Sequence, residues 1–138
     1  KIKIDNNLKE INYGKAEGLN YIQFKKKYPK IIKYWEKNLD PDFPNGENTE
    51  KVKKRLLNFI KLKLEKKKIK NINQNLLIVT HNIIIRCLLG YYLNYKKKYW
   101  YLIKINNLDC FEFINLNGKI RPNINRKQFI KIFSNIYC

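Results

Sequence analysis

The sequence has no methionine, one histidine, and 11 acidic residues against 30 Lys and Arg. Each scarcity excludes something. One histidine and three widely spaced cysteines, Cys87, Cys110 and Cys138, with no Cys-x-x-Cys, do not make a Cys/His zinc set. No metal and no cofactor are expected. The few, unpaired cysteines suit a reducing cytoplasm. No signal peptide is visible, and opening on Lys1 without Met reads as a cut through a domain.

A net charge of +19 suggests a polyanion partner. The positive charge, however, is nearly all lysine, with only Arg55, Arg86, Arg121 and Arg126 as arginines. Lys, Ile and Asn make up roughly half the chain in every segment, as AT-rich coding DNA would produce. No Arg/aromatic base-recognition motif is present, so non-specific adhesion is expected rather than specific nucleic-acid binding. A hydrophobic fraction of 44% fits one globular domain without repeats or linkers. The apolar stretch Leu76–Leu93 is nearly long enough to span a membrane, but His81, Asn82 and Arg86 fall in its middle. A strand followed by a helix explains it better, and no membrane association is expected.

Hydrophobic period and capping residues predict the elements. Ile2 and Ile4 alternate with Lys as in a short strand, and a glycine-bearing loop follows. Asn20 caps a helix carrying Tyr21, Phe24 and Tyr28. A second helix runs from Lys30 to about Asn38, and a turn-rich loop contains Pro41, Pro44 and Gly46. Asn48 caps a long helix to about Lys67 whose stripe is Val52, Leu56, Phe59, Ile60 and Leu64. "NLLIVT" reads as a strand covered on both faces, and Ile83–Leu93 as the helix after it. One or two strands are predicted between Ile103 and Asn115, and a hairpin at Asn117-Gly118. Asn125–Asn135 closes the chain as a helix. Strand followed by helix predicts an α/β protein: three layers, α/β/α, with a mostly parallel sheet.

His81 lies where the apolar strand gives way to the helix. Strand carboxyl ends are where open α/β sheets bind ligands, and a helix start favours an anion. A histidine there can hydrogen-bond a phosphoryl oxygen or attack phosphorus. A lone histidine is, however, more often a core or capping residue. Glu10, in the glycine-bearing loop, could serve as a general acid; alone, a loop glutamate is more often a surface charge.

Three islands in order change the weighting. "LKEINYGKAEG" spans Leu8–Gly18, "PNGEN" is followed eight residues after Glu47 by Arg55, and "THNIIIRCLLGYYL" spans Thr80–Leu93. Together they resemble the histidine phosphatase superfamily, the phosphoglycerate mutase-like family, and "RCLLGYYL" is especially similar to its fructose-2,6-bisphosphatase branch. The resemblance covers about Leu8–Phe113. The family's nucleophile is a histidine in an Arg-His-Gly motif, which these 138 residues do not contain. Residues 1–138 are therefore expected to be the C-terminal portion of one such domain.

The resemblance implies roles. Glu10 would protonate the leaving oxygen, and His81 would stabilise the phosphoryl group. Thr80 would help hold that site, and Asn82 would lie beside the pocket. Glu47 and Arg55 would order the substrate side through a charged contact, and Asn107 falls where a loop nears the pocket. Tyr13, Tyr21, Phe24 and Trp35 are candidates for the cleft wall, or equally for core. The implied activity is a phosphomonoesterase acting on sugar phosphates or similar metabolites through a phosphohistidine, with this chain alone inactive. The form of the first island and the short loop before "NGEN" favour a phosphatase over a mutase. A non-catalytic phosphate- or partner-binding pseudoenzyme, a phosphoglycerate mutase and an electrostatic nucleic-acid binder are the alternatives. Oligomeric state is not legible.

Overall fold

A computed structural model describes residues 2–37, 39–65 and 75–134. Helix α1 (Tyr21–Lys27) starts at Asn20 in a capping box: the Asn20 side chain accepts from the Gln23 N–H while the Gln23 side chain accepts from the Asn20 N–H. Helix α2 (Pro29–Glu36) begins on proline, whose missing N–H costs nothing at that position. Helix α3 (Thr49–Phe59) is capped by Asn48 and passes into a π-helical segment, Ile60–Glu65. The end expected near Lys67 lies outside the described residues. Val52, Leu56, Phe59 and Ile60 are buried along its stripe, as the spacing predicts, and Leu64 is half-buried.

Helix α4 (Asn82–Tyr92) packs on α3 and buries Ile84, Cys87, Leu89 and Gly90. Gly90 is required here, because a Cβ would lie 2.4 Å from the Trp100 ring. Strands β1 (Phe113–Leu116) and β2 (Lys119–Pro122) form an antiparallel hairpin. Asn117 and Gly118 both have positive φ, 53° and 81°, as the Asn-Gly turn requires. Helix α5 (Arg126–Phe133) has a second Asn/Gln capping box at Asn125. The main core joins α3, α4 and α5 through Val52, Leu56, Ile84, Leu89, Ile103 and Phe133. A smaller cluster of Ala16, Phe24, Ile32 and Phe43 sits under α1 and α2, with Tyr13 packed against both.

Three strand expectations are not met. Among the described residues the hairpin is the whole of the sheet, so the fold is mixed, mainly helical, and no parallel sheet is formed. The "NLLIVT" run has no strand pairing, and Leu76, Leu77 and Val79 are 65%, 80% and 85% exposed. A strand is stabilised by its neighbours, and none of the described segments forms a strand ladder with this one. Ile2 and Ile4 are 94% exposed for the same reason. Ile103 and Ile105 follow a 3₁₀ turn (Lys97–Leu102) instead of forming a strand; Ile103 is fully buried. No helix among the described residues is long and apolar enough to cross a membrane.

Candidate functional site

Two glycines bring the first and second islands together. The Lys15 N–H donates to the Pro44 carbonyl and the Glu47 N–H to the Asn12 carbonyl, each at 2.8 Å. Such an approach leaves no room for side chains. A Cβ on Gly14, whose φ is +55°, would lie 2.2 Å from the Pro44 carbonyl oxygen. One on Gly46 would lie 2.4 Å from the Asn12 oxygen.

The Glu47–Arg55 contact suggested by the sequence is present and reaches further than a pair. Arg55 Nε and Nη2 donate to the two Glu47 carboxylate oxygens at 2.8 and 3.0 Å. Its Nη1 donates to the Asn7 carbonyl at 2.6 Å and Nη2 also to the Glu10 carbonyl at 3.1 Å. Glu47 Oε2 accepts from the Asn12 N–H as well. Burial pushes the Glu47 carboxyl up, but the Arg55 and Asn12 hydrogen bonds and nearby positive charge outweigh it and hold it below its ordinary value. Glu47 therefore braces the loop that carries Glu10, with both oxygens engaged.

The third island closes on that loop. Thr80 Oγ1 donates to the Leu8 carbonyl at 2.6 Å. The half-buried Glu10 carboxylate bridges two chain segments: Oε1 accepts from the Ile11 N–H at 2.9 Å, and Oε2 from the Ile83 N–H at 3.4 Å in the first turn of α4. A carboxylate is well placed there, since the first amides of a helix have no intrahelical acceptor. His81 is the N-cap residue of α4; its carbonyl accepts from the Ile85 N–H at 3.1 Å, while its side chain makes no capping bond and is exposed. That exposure removes the buried-filling reading of this histidine. Asn82 Nδ2 donates to the Ile105 carbonyl at 3.3 Å, and its Oδ1 is buried without a hydrogen-bond partner.

The structure thus brings Glu10, Thr80, His81, Asn82 and the Glu47–Arg55 brace to one place. Asn107 is exposed in the loop before β1 and is not tied to them by any hydrogen bond among the described residues. Tyr13 is half-buried, edge-on to Phe43 at 4.8 Å. Burial raises its phenol above the ordinary value, and the charges of Glu10 and Glu17 add to this while Arg86 opposes it. Of the other aromatic candidates, Phe24 is core, Tyr21 is exposed with its hydroxyl on Glu36, and Trp35 lines a cleft.

Arg86 was legible in the sequence only as a match to the family pattern, with no role. Its Nε donates to the Ile103 carbonyl at 3.0 Å. It is half-buried, and no carboxylate lies within ion-pair distance of it among the described residues. Burial lowers its pKa, against the opposing pull of Tyr13 and Glu10, but a guanidinium stays charged. A desolvated cation of this kind favours an anionic ligand. Among the described residues no three His, Cys, Asp or Glu side chains are grouped to hold a metal ion.

A carboxyl group, an exposed imidazole, a helix start and a guanidinium without a carboxylate partner among the described residues are thus grouped at the start of α4 and along it. The search of curated proteins returned no match. The family model of the histidine phosphatase superfamily (branch 1) matches residues 1–119, a span that holds every residue of the site. The chain belongs to the histidine phosphatase superfamily.

Proposed function

We propose that this chain carries the acid and phosphoryl-stabilising part of a phosphomonoesterase site. Superfamily membership supports phosphatase- or mutase-type activity. The observation that carries the assignment of roles is the Glu10 carboxylate bridged to the Ile83 N–H in the first turn of α4, the helix whose N-cap residue is the exposed His81. Glu10 protonates the leaving oxygen of a phosphate monoester as the P–O bond breaks, and His81 hydrogen-bonds the phosphoryl oxygens as charge moves onto them. The accepting nucleophile is an Arg-His-Gly histidine outside these 138 residues, since His81 is their single histidine. Water then attacks the phosphohistidine, giving its proton to the Glu10 carboxylate as the P–N bond breaks, and releases inorganic phosphate and the free histidine. A three-layer α/β/α setting for the site would require a further segment to pair with and cover the exposed apolar run Leu76–Val79.

The chain alone is expected to bind phosphate without turning over 4-nitrophenyl phosphate. Phosphorus NMR titration with inorganic phosphate tests the site: His81→Ala and Glu10→Gln should each change the affinity, whereas Lys51→Ala should not. Hydrolysis abolished by His81→Ala would show that His81 is itself the nucleophile. Phosphate affinity indifferent to both substitutions would remove the proposal. The absence of a second histidine also favours one other reading, a pseudoenzyme that binds phosphate esters without turnover. Phosphate binding without turnover in the longest product of the same reading frame would establish it.

A further inference from the structure

A cleft of about 910 Å³ opens beside Glu10, and its chemistry is uneven. Its floor is buried and apolar, including Ile11, Phe43 and Trp100 at 5–7% exposure. Its rim holds Trp35, Leu39 and Tyr101, apolar groups left 46%, 50% and 45% exposed. Exposed large apolar groups are ordinary when scattered, but these three surround one concavity.

The cleft borders the two segments that hold the acid, although Glu10 itself is not among its lining residues. Ile11 and Ile83 line it, and their N–H groups hold the two Glu10 oxygens. Arg86, with no carboxylate partner among the described residues, lines it too. With a phosphoryl group bound at Arg86, the apolar floor and rim are the surfaces this cleft offers the alcohol portion.

Several polar groups in the wall are already engaged. Asp40 accepts from the Thr49 and Glu50 N–H groups, at the start of α3, and from Lys97. Glu36 accepts from the Tyr21 hydroxyl, and Trp100 Nε1 donates to the Tyr95 carbonyl. Over the apolar floor and rim a polyhydroxylated alcohol would lose water without replacement, whereas a flat apolar one would lose little.

From this we propose that the cleft is the leaving-group subsite and selects phosphate monoesters of aromatic or bulky apolar alcohols over sugar phosphates. Trp35 and Tyr101 are its specificity-determining residues. This inference rests on the phosphatase reading of the site.

The test is calorimetric titration of the full chain with three ligands that share an anionic head: methylphosphonate, 1-naphthylphosphonate and glucose 6-phosphate. The shared head cancels the general attraction of a +19 chain for anions. The naphthyl compound should bind about tenfold or more tightly than either of the others. Both tryptophans of the chain line the cleft, so the same ligand should change intrinsic fluorescence. Trp35→Ala and Tyr101→Ala should each cut the naphthyl advantage to about twofold or less while leaving methylphosphonate affinity unchanged, and Trp35→Phe should restore most of it. Both side chains are about half exposed, so their loss leaves the core in place. Equal affinity for the naphthyl and methyl compounds, tighter binding of glucose 6-phosphate, or an advantage that survives both substitutions would overturn the inference. Failure of the underlying reading looks different. In that case 1-naphthol binds and is lost in Trp35→Ala, but methylphosphonate binding ignores His81→Ala and Glu10→Gln. That result leaves an apolar site with no leaving-group role, and so overturns the subsite as well.

Discussion

Replacing Arg55 by alanine should cost more than any other single charge on the surface of α3. The guanidinium makes four hydrogen bonds, two to Glu47 and one each to the Asn7 and Glu10 carbonyls. The two side chains are 14% and 17% exposed. Arg55→Ala leaves a largely buried carboxylate with one remaining N–H donor and two carbonyls without their partner. Fully buried pairs broken on one side lose about 3–5 kcal/mol; partial exposure here brings the expectation to about 2.5 kcal/mol. For a chain of this size that is a fall in Tm of about 8 °C. Lys51–Asp42 is the control, an ion pair with side chains 53% and 57% exposed, and Lys51→Ala should cost about 0.5 kcal/mol or less. The assay is thermal denaturation followed by circular dichroism, repeated across pH. Glu47 is held below its ordinary 4.5 in the folded chain, so its contribution is complete above that pH and is lost as pH falls through the folded value. The gap between the parent chain and Arg55→Ala should therefore narrow as pH falls below about 4.5. A shift no larger than that of Lys51→Ala, or a gap constant with pH, would refute the reasoning.

Three other outcomes are expected. Gly14→Ala should destabilise the chain by about 3 kcal/mol in urea titration, because φ is +55° and the new Cβ meets the Pro44 carbonyl; a loss under about 1 kcal/mol would mean the two loops do not touch. In a Cys138→Ser background at pH 8, a thiol reagent should modify Cys110 at once and leave Cys87 untouched until unfolding. Burial, with Asp40 and Glu10 nearby, pushes the Cys87 thiol up to about 12, and equal rates for both thiols would contradict its packing. Leu77→Lys with Val79→Lys should reduce self-association in light scattering without lowering Tm, since both side chains are mostly exposed on an unpaired extended run; a large fall in Tm would show that they are packed.

Local structure was readable wherever its cause is local. The N-caps at Asn20, Asn48 and Asn125 each accept from an N–H three residues on, so the sequence window contains both partners. The same holds for the Asn117-Gly118 turn. The strands were over-read because alternation and apolar runs report which side chains suit a sheet, not whether a neighbour exists. Leu76–Val79 has the side chains of a covered strand and an exposed surface. The 3₁₀ turn at Lys97–Leu102 was not foreseen, and it seats Trp100 in the space left by Gly90, a contact ten residues away.

For the site, residue types and spacing set the chemical groups and their order: an acid in a glycine loop, an imidazole before a helix, and an Arg eight residues after Glu47. What each one touches came from the packing of distant segments. Glu10 meets Ile83 across 73 positions, and Arg55 reaches back 48 positions to Asn7. The same folding left Arg86 without a counter-ion among the described residues and gathered Trp35 and Tyr101 around one cleft. A cap or turn is set by torsions of a few bonded residues, whereas a counter-ion or cleft wall depends on loop closures that only the packed core makes favourable.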